Sequence, residues 1–457
     1  MQLPAEIFKA YDIRGVVGRT LTAPIVFAIG SALGSLARER DCGTIVVGRD
    51  GRLSGRAFAQ ALTDGILASG VDVIDIGMVT TPMSYYAAEA LATQCCAMVT
   101  GSHNPPDYNG LKMVIAGETL SGDDIQALRK RIEQQRFATG QGHYRAHDIS
   151  ASYIARIAGD VRVARTMHIA LDCGNGVAGA YAPALFRALG CTVDELFCDV
   201  DGRFPNHHPD PSQPANLADL VAHLARTDCE LGLAFDGDGD RLGVVTRTGS
   251  IIFPDRQLML FAADVLARKP GATVIYDVKS TRNLAPWITR HGGTPMLWKT
   301  GHSLIKAKMK ATGAELAGEM SGHTFFGERW YGFDDGLYAG ARLLEILSRD
   351  ADPCAILDAL PDALCTPELT IGCSEGEQHA LVAQMQSDAH FPSAQQIIRL
   401  DGLRVEYADG FGLARASNTT PSIVLRFEGD SAEALANIQH EFRSVLNDAM
   451  PGVPLPF

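Results

Sequence analysis

What this sequence lacks narrows its chemistry first. No uninterrupted apolar stretch approaches the roughly 20 residues that span a bilayer, so no membrane segment is expected. The ten cysteines include no C-x-x-C pair, which removes the commonest zinc spacing. They are scattered, two are adjacent (Cys95 and Cys96), and the pattern reads as free thiols of a reducing cytoplasm rather than a disulfide framework. There is no basic excess. Lys and Arg number 40 against 53 Asp and Glu, a formal charge of −13, which argues against nucleic acid or an anionic membrane as partner. Any anionic ligand must then be met by a few local cations. The start, Met1 to Glu6, shows no basic region followed by an apolar core, so no signal peptide is expected. Low-complexity segments are missing as well.

What is present is ordinary for a soluble globular chain: 46% apolar and 20% charged residues. A length of 457 residues is too great for one core and, at about 150 residues per domain, suggests roughly three. The order of elements refines that estimate. Residues 7–15 read as an opening strand and residues 24–38 as a helix. Thr44–Asp50 reads as a β-branched strand, followed by a helix with Ser54 as N-cap running to Ala68, a stop at Gly70, and a returning strand from Val71 to Ile76. This is a βαβ unit and predicts parallel pairing. The same grammar recurs at His168–Gly176, with a helix to Leu189 and a stop at Gly190, and at Thr273–Ser280, with a helix to about Arg290 and stops at Gly292 and Gly293. After Pro361 the character changes to strands at 367–371, 402–407 and 422–427, then a helix from Ser431 to about Asn447. The expected fold is therefore α/β: three related α/β domains with mixed, mostly parallel sheets plus a smaller α+β C-terminal domain, around a central cleft. The expected boundaries are 1–148, 149–252, 253–365 and 366–457.

Four loops carry candidate chemistry. In Thr100-Gly101-Ser102-His103-Asn104-Pro105, an apolar strand ends abruptly and lifts a serine onto a loop stiffened by Pro105 and Pro106. That serine could be a nucleophile, a phosphate acceptor or a turn residue. In Phe235-Asp236-Gly237-Asp238-Gly239-Asp240-Arg241, three carboxylates alternate with glycines behind an apolar run. They cannot be buried together without a cation, and oxygen ligands suit Mg²⁺, Mn²⁺ or Ca²⁺. An EF-hand is excluded, because its glycine position falls on Arg241 and its closing glutamate position on Arg247. The loop Gly318-Glu319-Met320-Ser321-Gly322-His323 offers acceptors and donors for sugar hydroxyls. Arg415-Ala416-Ser417-Asn418-Thr419-Thr420-Pro421 is a dense donor set for a phosphate dianion, and Thr300-Gly301-His302-Ser303 is a further polar loop. A phosphorylated serine, a divalent cation, a hydroxyl-reading loop and a remote phosphate clamp together make a phosphoryl-transfer site.

These motifs, with Tyr11-Asp12-Ile13-Arg14-Gly15 and Phe204-Pro205-Asn206-His207-His208-Pro209-Asp210-Pro211, make the chain resemble the α-D-phosphohexomutase superfamily, and within it the bacterial phosphomannomutase/phosphoglucomutase branch, over essentially its whole length. The resemblance implies that Ser102 is the phosphoserine and that Asp236, Asp238 and Asp240 bind Mg²⁺ together with an oxygen on Ser102. It implies that Glu319 and Ser321 hold sugar hydroxyls and that Arg415, Ser417, Asn418 and Thr419 grip the distal phosphate. Tyr11 and Lys279 join the substrate-binding set, and Arg14, Lys112, Arg241, His302 and His323 the catalytic one. The implied enzyme is an isomerase that interconverts hexose 1-phosphates and 6-phosphates through a hexose 1,6-bisphosphate, with glucose 1,6-bisphosphate as activator, phosphosugars as its only partners and a monomer as working unit. Hinge motion of the last domain would let the intermediate reorient. Lys112 is a candidate base if burial and nearby cations depress its pKa, and His103, His302 and His323 are the others. Gly101 stands where many relatives carry alanine, a change expected not to affect the chemistry. Met320 and Gly239 favour the mannose/glucose branch over a glucosamine phosphate mutase. A phosphoserine-type sugar phosphatase, which would hand the phosphate to water, is the other alternative.

Overall fold

The computed structural model describes residues 3–374 and 376–457. One strand order is used three times. Each unit starts from an apolar strand, Thr44–Arg49, His168–Asp172 or Thr273–Asp277. A crossover leads to a parallel neighbour on one side, Asp72–Met78, Thr192–Leu196 or Thr294–Trp298. A second crossover leads to a parallel strand on the other side, Cys96–Val99, Leu231–Phe235 or Leu316–Gly318. The chain then turns back antiparallel along Tyr108–Ile115, Leu242–Thr246 or Thr324–Phe326. The sheets are thus mixed, parallel through the middle and antiparallel on one side. The strand after the second crossover is fully buried in all three units, which explains its continuous apolar composition. Its carboxyl end flanks the point where strand order reverses, the place where open α/β sheets present loops to a ligand.

The opening of the chain departs from the expected strand over residues 7–15. Ala5–Ile7 is a short 3-10 turn, and only Ile13–Val16 pairs, antiparallel to Tyr108–Ile115 at the sheet edge. Tyr11 and Asp12 precede it on a bend that points into the molecule. Ser54 does occupy the N-cap of Gly55–Ala68, but its hydroxyl accepts from Asn109 Nδ2 at 2.8 Å instead of capping the helix.

The first three units are welded. One buried cluster runs from Val46 and Met83 through Leu171 and Phe235 to Val274 and Leu344. Helix Gly336–Leu347 lies inside it with every residue buried. Its Asp335 N-cap accepts from Tyr338 N and from the Tyr153 hydroxyl, both at 2.9 Å. Arg342, fully buried on that helix, is neutralised by Glu328 at 2.9 Å and Asp264 at 3.2 Å.

The fourth unit stands on its own core, with the Phe442 ring in contact with those of Phe391 and Phe427. Its six-stranded sheet is antiparallel throughout, and helices Glu377–Asp388 and Ala432–Ala449 pack on it. The strand Gly410–Ala416, which carries Arg415, was not foreseen, because glycines at 410 and 412 interrupt its alternation. The unit is held to the third by a small apolar cluster of Val278, Phe411 and Leu413 and by polar ties. Arg404 Nη1 donates to the carbonyls of Val278 (2.7 Å) and Ser280 (2.6 Å), and Thr281 Oγ1 to Glu428 Oε1 (3.0 Å).

Candidate active site

Three carboxyl-end loops and the fourth-unit loop open onto one cleft of about 380 Å³. Tyr11, Arg14, Ser102, Lys112, Arg241, Lys279, His302, Glu319, Ser321, His323, Arg415, Ser417, Asn418 and Thr419 all line it. The three aspartates of the Asp-Gly-Asp-Gly-Asp loop lie behind that lining, with no exposure.

Ser102 follows the strand Cys96–Val99 and takes a left-handed backbone conformation, φ +47°, which costs a non-glycine residue on the order of 1 kcal/mol. Its Oγ donates to Asp236 Oδ2 at 3.0 Å and lies 3.1 Å from His103 Nδ1. The strained turn is held by Arg52, which sequence reasoning missed. From a fully buried position, its Nη2 donates to the carbonyls of Ser102 (2.7 Å) and Asn104 (2.5 Å), and its Nη1 to those of Pro105 (2.6 Å) and Tyr108 (2.8 Å). Asp50 completes the clamp by accepting from Thr100 Oγ1 at 2.8 Å and Gly101 N at 3.2 Å. These partners lie about 50 residues apart in sequence, so no local signal could have found them. The clamp also gives Gly101 a role that was not expected: a Cβ there would lie 2.5 Å from the Arg52 guanidinium carbon.

The aspartate loop is pinned by its own first residue. Asp236 Oδ1 accepts from the backbone N–H groups of Gly239 (3.1 Å), Asp240 (3.1 Å) and Arg241 (3.2 Å). Gly237 permits a close approach, since a Cβ there would lie 2.4 Å from the Ser102 carbonyl oxygen. Lys112 bridges the other two carboxylates, 2.8 Å from Asp238 Oδ2 and 2.5 Å from Asp240 Oδ2. Burial opposes charge on all three. Lys112 overcomes it at Asp238, whose carboxyl is held well below the usual range, whereas burial and then the charges of Asp238 and Asp240 push Asp236 up to about 8. Asp238 Oδ1 and Asp240 Oδ1 are buried and, among the described residues, without a hydrogen-bond partner. Two buried carboxylate oxygens without a hydrogen bond, in a cluster whose donors are all oxygen, fit a hard divalent cation.

Lys112 itself departs from the expected depressed pKa. Burial works against its charge, but Asp238 and Asp240 raise it above the ordinary lysine value. The histidines divide. Burial holds His302 and His103 well below the usual imidazole value, whereas Asp240 and Asp334 outweigh burial at His323 and raise it. His323 Nδ1 lies 3.0 Å from Asp334 Oδ2, and its ring stacks on His302 at 5.7 Å. Asp334, fully buried and also bound by Lys306 at 2.9 Å, is a second residue the sequence did not mark.

Arg241 joins the loops. Its Nε donates to Asp236 Oδ2 at 3.1 Å, its Nη1 to Asp210 Oδ1 at 3.3 Å and to the Ser321 carbonyl at 3.4 Å, while Nη2 has no partner among the described residues. In the third-unit loop, Glu319 Oε1 accepts from Gly301 N at 2.6 Å and Oε2 is unpaired among the described residues. Burial, opposed by His323, raises Glu319 to about 7. At the far end, Arg415 Nε donates to Asp401 Oδ2 at 3.1 Å and Lys279 Nζ to Glu368 Oε2 at 2.9 Å. Ser417 accepts from Thr420 N and Thr420 Oγ1, and Thr419 is exposed. Tyr11 spans the units: its hydroxyl donates to the Thr300 carbonyl at 2.7 Å and accepts from Asn418 Nδ2. Arg14 Nη1 donates to Asn104 Oδ1 at 2.6 Å, beside the serine loop.

Comparison with known proteins follows the same four units. Family models described as phosphoglucomutase/phosphomannomutase, alpha/beta/alpha domains I, II and III, match residues 5–139, 151–249 and 253–363, and the model of the C-terminal domain matches 371–445. The chain is 57% identical over 444 residues to the phosphoglucomutase of Neisseria gonorrhoeae, covering 96% of each. It is 56% identical over 458 residues to the phosphomannomutase/phosphoglucomutase of Pseudomonas aeruginosa, covering 100% of this chain and 98% of the relative. A crystal structure of a phosphoglucomutase/phosphomannomutase family protein from Burkholderia thailandensis superposes with a TM-score of 0.95 at 57% identity, over the full length of both.

Proposed function

The chain belongs to the phosphoglucomutase/phosphomannomutase family and is a hexose-phosphate mutase, and from that premise we propose that Ser102 carries the phosphoryl group between the two ends of the sugar. The observation that carries this reading is Ser102 Oγ at 3.0 Å from Asp236 Oδ2, at one end of a cleft whose other end is lined with phosphate donors. Asp236, Asp238, Asp240 and an oxygen on Ser102 would hold Mg²⁺, which supplies charge neutralisation to a transferring phosphoryl group.

With phosphorylated Ser102 and a hexose 1-phosphate in place, the sugar O6 attacks phosphorus, the bond from phosphorus to Ser102 Oγ breaks, and a 1,6-bisphosphate forms. After the intermediate turns round, Ser102 Oγ attacks the phosphate on O1 and hexose 6-phosphate leaves. The Nη2 of Arg241, unpaired among the described residues, would donate to the moving phosphoryl oxygens. His302 and His103, whose hold on a proton burial weakens, would take the proton from the attacking hydroxyl, whereas Lys112 and His323, whose hold on a proton nearby carboxylates strengthen, would return one. Glu319, through its unpaired Oε2, and Ser321 would read sugar hydroxyls. Arg415, Ser417, Asn418, Thr419 and Lys279 would hold the distal phosphate, whichever end bears it.

Both glucose and mannose phosphates are the proposed substrates, and glucose 1,6-bisphosphate the activator that restores a lost phosphate. One chain brings every group to the cleft, which supports a monomer as the working unit. Ten free cysteines support a reducing compartment, the cytoplasm, and among the described residues no helix is long and apolar enough to cross a membrane. The test offers glucose, mannose and glucosamine 1-phosphates with Mg²⁺, with and without trace glucose 1,6-bisphosphate, while inorganic phosphate is followed. Activator-dependent formation of glucose and mannose 6-phosphates without phosphate release is expected. Phosphate release in place of isomerisation, or turnover of glucosamine 1-phosphate alone, would overturn the reading.

A further inference from the structure

The second unit holds another cluster of ligating side chains at the opposite end of its sheet from the cleft. His168 opens the strand His168–Asp172, and Asp194 lies on the adjacent parallel strand, in register with Ala170, so the two side chains share a face. His223, in the last turn of helix Ala218–Leu224, and Cys229, in the loop after it, close over that face. All converge on one carboxylate: His168 Nε2 is 2.9 Å from Asp194 Oδ1, His223 Nε2 2.8 Å from Asp194 Oδ2, and Cys229 Sγ 3.4 Å from the same oxygen.

We propose that His168, Asp194, His223 and Cys229 bind a divalent cation of the zinc class. Ligand atoms around tetrahedral zinc stand roughly 3.3–3.6 Å apart, a spacing that His168, Asp194 and Cys229 approach, while His223, 2.8 Å from Asp194 Oδ2, would turn its ring to complete the set. The ligand atoms of His168, Asp194 and Cys229 already lie within 4.8 Å of one another. Two imidazoles, a thiol and a carboxylate suit zinc, cobalt or copper, whereas the all-oxygen aspartate loop suits magnesium, so the two clusters of this unit sort cations by softness. His168, Asp194 and His223 are 25–32% exposed, which leaves solvent access for the ion. Binding would release the Cys229 thiol proton to solvent and leave a thiolate on the metal. Because Cys229 and Asp236 flank the strand Leu231–Phe235, roughly 16 Å long, the ion would tie strands and helix together rather than take part in catalysis.

The test titrates the full-length chain, with excess Mg²⁺ filling the aspartate loop, with Co²⁺ and then Zn²⁺. One equivalent of Co²⁺ should produce a near-ultraviolet thiolate-to-cobalt absorption that Zn²⁺ removes. Cys229→Ser should lose the band while keeping its circular dichroism and its turnover of glucose 1-phosphate, and His223→Gln should weaken Co²⁺ binding about 10- to 100-fold. Should Cys229→Ser fail to fold, the His223→Gln titration decides. The proposal is overturned by the absence of a band, by a His223→Gln affinity equal to wild type, or by a band that persists in Cys229→Ser. The thiols of Cys173 and Cys198, 3.5 Å apart at the carboxyl ends of the same two strands, would be the source in that last case.

Discussion

The aspartate loop of the second unit and the serine–threonine loop of the fourth serve the same cleft with opposite construction. In the first, one carboxylate oxygen of Asp236 ties three backbone N–H groups, nothing is exposed, and the surrounding core is shared by three units. In the second, Ser417 and Thr420 bond chiefly to each other, Thr419 faces solvent, and the unit rests on a core of its own. The difference follows the chemistry. In the proposed reaction the loop that holds the reacting phosphoryl group must be fixed within fractions of an ångström, whereas a clamp that takes either end of a turning intermediate must release and re-form.

Changes in the rigid half should strike kcat, and those in the adaptable half KM. Ser102→Ala should abolish turnover and leave glucose 1-phosphate binding, read by calorimetry, within a few-fold of wild type; substantial residual turnover would refute the covalent role. Asp238→Asn should lower Mg²⁺ affinity and kcat together, since it removes the charge and one of the two oxygens that Lys112 and the proposed cation would share. Arg52→Lys keeps the buried charge but cannot serve four carbonyls at once. Its kcat should fall by about 10- to 100-fold with KM little changed, and a rise in KM alone would contradict the clamp.

How far these groups were legible depends on the distance over which each acts. Asp236, Asp238 and Asp240 declare themselves within five residues, and the strand end before Ser102 is equally local. Arg52 and Asp334 act on partners remote in sequence, and their burial follows only from the fold. The three-unit repeat was visible because a parallel strand, a crossover and a glycine stop leave a local pattern. The strand Gly410–Ala416 was not, its alternation broken by glycine, nor was the bend at Tyr11 and Asp12, which tertiary contacts rather than propensity create.

The smaller effects belong to the adaptable half. Asn418→Ala removes the tie to Tyr11 and should raise KM about fivefold, matching roughly 1 kcal/mol for one hydrogen bond, with kcat nearly unchanged. Glu319 titrates near 7 because burial disfavours its charge, so it is neutral below that pH and ionised above. Its ionised form is the better acceptor for sugar hydroxyls, and kcat/KM should therefore fall as pH drops through about 7. The same raised value means that folding loses stability as pH rises from the ordinary glutamate range towards 7. Glu319→Gln should flatten both slopes, read by a pH profile and by urea midpoints.

The most direct measurement exposes the chain to glucose 1,6-bisphosphate labelled in both phosphates, isolates the protein and maps the label by peptide mass spectrometry before and after a chase with unlabelled glucose 6-phosphate. The account expects one phosphate, on Ser102, that leaves in the chase as bisphosphate. Label on another residue, or label on Ser102 that appears only as inorganic phosphate, would contradict it.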